Sequence, residues 1–183
     1  MKKILFAASE AVPFMKTGGL ADVTGSLPKY FDKKNYDVRV ILPKYVCMEE
    51  RWKGQLHFLC HFYVNLSWRK QYVGIFETTY DGITYYLVDN EFYFAGNAPY
   101  NNIYEDVEKF AFFSKAVLEA LPYLDFCPDI IHCHDWQTGL LPVFLRTLYG
   151  DEEYYTGIKT VFSIHNLKFQ GRWKLPADRK SVV

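Results

Sequence analysis

The chain has 183 residues, of which 50% are hydrophobic, 23% charged and 19% aromatic. That length suits one domain, and the hydrophobic share is enough for a core, which excludes a disordered chain. Its 21 lysines and arginines balance 21 aspartates and glutamates, so there is no basic footprint for nucleic acid or for an anionic membrane surface.

The four cysteines, Cys47, Cys60, Cys127 and Cys133, form no C-x-x-C pair. A chain of this size needs no disulfide staples, so reduced thiols in a cytoplasmic setting are expected. Residues 1–8 imitate the start of a signal peptide, but Ser9 and Glu10 interrupt the apolar run too early. No stretch is apolar for long enough to cross a bilayer, and the protein reads as soluble.

In chain order, residues 3–8 are a continuous apolar run, the pattern of a strand buried on both faces. A glycine-bearing loop over residues 15–19 leads into a helix marked by Leu20, Val23, Thr24, Leu27 and Phe31, with Pro28 disturbing its last turn. A second strand spans 38–42 and is closed by Pro43, completing a βαβ unit. Leu56, Phe58, Cys60, Phe62, Val64 and Leu66 then alternate as in a half-buried strand. Residues 72–79 and 83–88 flank Asp81-Gly82, a hairpin-turn signal, so this β-rich stretch reads as an antiparallel insertion. The stripe Val107, Phe110, Ala111, Ser114, Val117, Leu118 and Leu121 predicts a helix over 104–121, stopped by Pro122. A third buried strand covers 129–133, a helix runs from about Trp136 to Leu148, and a fourth strand covers 159–164. The fold class is therefore α/β, a parallel sheet with an antiparallel β-hairpin insertion.

Ligands of open α/β sheets bind beyond the carboxyl ends of the strands. Three polar clusters fall there: Lys16-Thr17-Gly18-Gly19, His134-Asp135 and His165-Asn166. In the first, bare glycines ahead of a helix N-terminus, with a lysine beside them, suit a phosphate or diphosphate. The other reading is a turn with a solvated lysine. The loop is neither a Walker P-loop nor G-x-G-x-x-G. His132 and His134 share a strand face, and with His165 they form a candidate metal set for a metal-dependent hydrolase; structural histidines at a strand end are the alternative. Asp135 reads as an N-cap for the helix after it. The aromatic excess is compatible with sugar stacking, but aromatics more often fill a core or an interface, so on its own it decides nothing.

Four stretches resemble the bacterial glycogen synthase and plant starch synthase family. They are Lys16-Thr17-Gly18-Gly19-Leu20-Ala21-Asp22-Val23, residues 36–45, residues 131–140 around His134-Asp135-Trp136, and residues 161–171 around His165-Asn166. The resemblance implies a GT-B glycosyltransferase with Rossmann-like domains and no metal or cofactor. It would transfer glucose from ADP-glucose to the non-reducing end of an α-1,4-glucan, with retention. Carried over, Lys16 contacts the donor's phosphate or glucosyl part, Gly18 and Gly19 admit the diphosphate, and Asp22 lies toward the nucleotide. His165 sits beside the transferred glucose. The family's D-N-x-x-R-F segment is replaced here by residues 105–110, where Lys109 stands for the arginine and Glu105 or Asp106 for the catalytic acidic residue. On this reading residues 1–174 form an incomplete amino-terminal catalytic domain that partners a second domain of the same enzyme. Residues 175–183 read as an atypical tail, truncated or foreign. The 183-residue chain alone is then expected to be inactive, or to be a non-catalytic glucan-binding domain.

Overall fold

The structure, a computed structural model, describes residues 1–67 and 69–172; the tail expected over 175–183 lies outside the described residues. One sheet of seven strands organises them, in the order β3-β4-β5-β2-β1-β6-β7. The strands are β1 (Lys2–Ala7), β2 (Tyr36–Pro43), β3 (His57–Leu66), β4 (Arg69–Tyr80), β5 (Ile83–Asp89), β6 (Ile130–His134) and β7 (Lys159–Ser163). Pairs β1–β2, β1–β6, β6–β7 and β2–β5 are parallel, while β3–β4 and β4–β5 are antiparallel.

The central position of β1 follows from its unbroken apolar run, since both of its faces are covered. Leu5 and Ala7 face a core built with α3 (Ile103–Ala120) and α4 (Leu140–Thr147), whereas Phe6 faces a second core with Val40, Leu42, Tyr85, Leu87 and Phe14. The expected helices are present. Helix α3 buries the predicted stripe, and its N-terminus is fixed by Asn102, whose side chain accepts hydrogen bonds from the N–H groups of Tyr104 and Glu105 at 3.1 and 3.2 Å. Helix α1 (Gly19–Ser26) ends one turn early in a 3₁₀ segment, Leu27–Tyr30, because Pro28 cannot donate into the helical ladder. The helix expected from Trp136 to Leu148 is split. A 3₁₀ turn, Trp136–Thr138, precedes α4, and the remaining short helix α2 (Glu50–Lys53) was not expected.

Asp81 and Gly82, with φ of 50° and 71°, form the tight turn joining β4 to β5 as expected. The hairpin is not set apart from the parallel sheet, however. Strand β5 pairs parallel with β2, Val40 opposite Tyr85, so the antiparallel stretch extends the main sheet. Ile83 and residues 85–88 are all buried, a both-faces burial that marks an internal strand rather than a hairpin arm. The alternation of β3 also breaks once. A register shift between Phe58 and Cys60 moves Phe58 to the solvent side at 52% exposure, while Phe62 and Val64 stay buried.

Helix α1 is pressed against the loop that follows β1. The Val12 N–H donates to the Ala21 carbonyl at 3.1 Å, and a Cβ on Gly25 would lie 2.4 Å from the Val12 carbonyl oxygen and 2.9 Å from its nitrogen. That neighbour is backbone and has no rotamer to change. Gly25→Ala is therefore expected to lower unfolding free energy by about 3 kcal/mol, the upper part of the overpacking range, read as a reduced urea midpoint.

Candidate functional site

Strand β1 is followed in sequence by β2 on one side, while β6 and β7 are added on the other. The strand order therefore reverses between β1 and β6, where an α/β sheet opens a crevice. A cavity of about 950 Å³ lies there, lined by the loop after β1, the segment after β6 and the segment after β7. All three polar clusters foreseen in the sequence thus reach one place, but not every residue in them lines it.

The loop after β1 is anchored from below by Glu10, a residue the sequence reading overlooked. Its carboxylate is buried and accepts from the Thr17 N–H, from Thr17 Oγ1 at 2.9 Å and from the Tyr100 hydroxyl at 2.5 Å. Tyr100 is half-buried, and burial together with the Glu10 charge raises its pKa, so the hydroxyl stays protonated as the donor. Held this way, Gly18 and Gly19 turn their bare Cα atoms to the cavity, and a Cβ at either would meet nothing within 4 Å. Gly18 has an ordinary extended φ of −152°, so conformational freedom is not what these glycines supply. They supply open space in front of α1, whose N-terminus has no side-chain cap.

Lys16 and Asp22 flank this opening and bond to each other, Nζ to Oδ1 at 2.7 Å, each about half exposed; neither is among the lining residues. As an exposed pair it contributes at most about 1 kcal/mol to the fold.

On the opposite wall, β6 and β7 run parallel with His134 opposite Ser163. His132 and His134 do share a face, their rings packed with centroids 4.1 Å apart and planes tilted by 30°, while His134 meets His165 edge to edge, with centroids 5.1 Å apart and planes 16° apart. Each ring nitrogen in contact has a different partner. His132 Nε2 meets Ser163 Oγ at 2.7 Å, and His134 Nδ1 meets His165 Nε2 at 2.8 Å. Ring nitrogens bonded to Ser163 and to each other do not converge their lone pairs on one point, and among the described residues no three His, Cys, Asp or Glu side chains are grouped to hold a metal ion. The hydrolase reading therefore lacks its ligand set.

Burial, followed by the neighbouring His132 and His165, depresses the His134 pKa from its ordinary 6.5 to about 3. The unfolded chain consequently binds a proton near pH 6.5 that the folded chain refuses until about pH 3. Stability attributable to this site is full above 6.5 and falls with acidification by up to about 1.4 kcal/mol per pH unit. Urea midpoints measured across that interval are expected to drop more steeply for the native chain than for His134→Leu.

Asp135 stands at the N-cap position, but its side chain does not cap. The 3₁₀ turn after it receives no side-chain hydrogen bond, and its Oδ1 instead accepts from the backbone N–H groups of His165 at 2.7 Å and Asn166 at 3.4 Å. It does so from the left-handed region, φ 59°, a conformation that costs about 1–3 kcal/mol and marks a position held for a purpose. Glu10 and Asp135 therefore play matching parts, each a buried carboxylate tying down one loop of the cavity.

Of the two acidic candidates on α3, Asp106 is buried and lines the cavity, while Glu105 is exposed. Both Asp106 oxygens accept from the Asn101 N–H, at 3.1 and 3.2 Å, and Oδ1 also accepts from Lys109 Nζ at 2.8 Å. Trp136 and Gln137 complete the wall, and Gln137 Oε1 is buried with no partner among the described residues.

These features place the chain among the open α/β sheets that hold a ligand where the strand order turns back. Its sequence narrows the class: the family model described as the starch synthase catalytic domain matches residues 3–181, and the chain belongs to that family. Glycogen synthase of Lachnoclostridium phytofermentans is 65% identical over 182 residues, covering 100% of this chain and 37% of its own length. Glycogen synthase of Lachnospira eligens is 62% identical, covering 96% of this chain and 37% of its own length. A solved structure, the catalytic domain of starch synthase IV from Arabidopsis thaliana bound to ADP and acarbose, superposes with a TM-score of 0.85 at 28% identity, covering 100% of this chain and 37% of that one. The fold is thus the Rossmann-like amino-terminal part of a GT-B enzyme, and the chain spans about 37% of the length of the curated relatives it matches. Among the described residues no helix is long and apolar enough to cross a membrane.

Proposed function

We propose that this chain forms the donor-sugar face of an ADP-glucose:α-1,4-glucan glucosyltransferase that retains anomeric configuration. The observation that carries the reading is the uncapped N-terminus of α1 behind Gly18 and Gly19, open to a cavity whose far wall is His165. Backbone N–H groups and the positive end of a helix favour a diphosphate there. As the glycosidic bond to ADP breaks, negative charge accumulates on the departing phosphate, and donors already fixed in place stabilise that charge without reorganising.

The remaining roles follow from position. Lys16 exchanges its bond to Asp22 for the donor's phosphate, which leaves Asp22 to steady the rim. His165 lies beside the transferred glucose, and Asp106 holds the segment carrying Tyr100. The relatives' name, glycogen synthase, and the ADP and acarbose in the Arabidopsis structure support these substrates. The second domain present in such enzymes is the expected partner, and glucan elongation is expected of the whole enzyme and not of these residues alone.

A charge-assisted hydrogen bond contributes about 1.5–3 kcal/mol, roughly 10- to 100-fold in affinity. Lys16→Ala is accordingly expected to weaken ADP-glucose binding by that factor while leaving the urea midpoint nearly unchanged, because the pair it breaks is exposed. Isothermal titration with ADP-glucose reads the first effect. Equal affinities for native and variant chains would remove Lys16 from the donor site.

A further inference from the structure

Among the described residues the His134 ring makes one hydrogen bond, through Nδ1 to His165 Nε2, and its own Nε2 is buried without a partner. The ring is 0% exposed, packed against Phe6 at 4.9 Å and against the His132 ring. These two facts decide where its proton sits. A proton on Nε2 would bury an N–H donor among aromatic carbons with no acceptor, and would leave Nδ1 only a lone pair to offer. A proton on Nδ1 makes the 2.8 Å bond and leaves at Nε2 a bare lone pair, the smaller loss. Burial also keeps the ring neutral, so a doubly protonated form does not compete near neutral pH.

If His134 donates, His165 Nε2 must accept, and the single proton of a neutral His165 is then on Nδ1. We propose that His134 is a positioning residue that fixes His165 as its Nδ1–H tautomer, the reverse of the preference of free imidazole side chains in water. Nδ1 of His165 makes no hydrogen bond among the described residues, and His165 lines the cavity. The nitrogen left for a ligand is therefore a donor only. It recognises an acceptor oxygen, a sugar hydroxyl or a phosphate oxygen, and cannot accept a proton from that group while His134 occupies Nε2. Asp135 supports the same geometry by holding the His165 backbone N–H at 2.7 Å. Only the identity of the ligand oxygen rests on the proposed donor site; the tautomer stands on the ring contacts alone.

The experiment is two-bond proton–nitrogen correlation spectroscopy on the ¹⁵N-histidine-labelled chain at neutral pH, which distinguishes a protonated from an unprotonated ring nitrogen. His165 is expected to show a protonated Nδ1 and a bare Nε2. His134→Leu should return it predominantly to the Nε2–H form. His134→Asn, whose amide N–H reaches the place of the lost Nδ1–H, should preserve the native pattern. A native His165 carrying its proton on Nε2 overturns the proposal, and the unsubstituted chain decides this even where the leucine variant does not fold. A folded His134→Leu chain with an unchanged His165 pattern overturns it as well. Addition of ADP-glucose then separates the two readings, since a ligand that moves no His165 signal removes the donor assignment and leaves the tautomer intact.

Discussion

Lys109→Met is expected to lower the unfolding free energy by about 3–5 kcal/mol, the cost of leaving one member of a buried ion pair alone. Lys109 and Asp106 side chains are only 3% and 7% exposed, one turn apart on α3. The ammonium donates to Asp106 Oδ1 at 2.8 Å and to the Pro99 carbonyl at 2.9 Å, while the Asp106 carboxylate receives the Asn101 N–H. The pair thus ties the 99–101 segment, which carries Tyr100, onto the start of α3. Methionine matches the volume of the lysine stem, so the loss would come from the unpaired carboxylate and the Pro99 carbonyl, with no cavity to blame. The double variant Asp106→Leu, Lys109→Met should recover part of the loss, because the stranded charge is gone. A urea denaturation series on the three chains reads this directly. A single-variant change below about 1 kcal/mol would mean that the pair is as weak as a surface one.

Gly19→Ala should move stability and binding in opposite directions. Gly19 is the first residue of α1, where alanine is the better helix former by up to about 1 kcal/mol, and an added Cβ would touch nothing within 4 Å. The fold should be unchanged or slightly more stable. That same methyl group would stand in the space before the α1 N–H groups, which a diphosphate must approach closely. Loss of a charge-assisted hydrogen bond from those N–H groups costs about 1.5–3 kcal/mol, and a fall of roughly 10- to 100-fold in ADP-glucose affinity is expected. Few substitutions elsewhere in the chain could give this combination, since a glycine kept for packing, such as Gly25, loses stability when replaced.

Much of the architecture was legible because it is written in local patterns. The apolar run at residues 3–8 reads directly as the buried β1, Asp81-Gly82 as a tight turn, and the stripe from Val107 to Leu121 as the covered face of α3. What escaped depends on partners distant in sequence. Nothing local says that β5 pairs with β2, 45 positions apart where Val40 meets Tyr85, and the shift between Phe58 and Cys60 becomes visible only against β4. The site divides in the same way. Glycines ahead of a helix and histidines at strand ends announce a cavity at the carboxyl edge of the sheet. Glu10 gave no signal, since a carboxylate after a strand usually faces water; here it meets Thr17 and, 90 residues on, Tyr100. Asp135 was misread because aspartate before a helix is most often its cap, and only the adjacency of β6 and β7 brings it to the His165 backbone. The three histidines do lie together, but only His165 lines the cavity, and whether such rings chelate or bond to one another is settled by side-chain direction, which spacing does not encode.

The carboxyl edge of β1, β6 and β7 is expected to receive a sugar nucleotide, its diphosphate at the α1 N-terminus and its sugar toward His165. Titrating ¹⁵N-labelled chain with millimolar ADP-glucose and following the backbone amides tests it most directly, because such spectra register even weak binding. The signals of Gly18, Gly19, Leu20, His165 and Asn166 should move together along one saturation curve, and Gly19→Ala should abolish the movement. Amides that stay in place at these five positions throughout the titration would contradict the account.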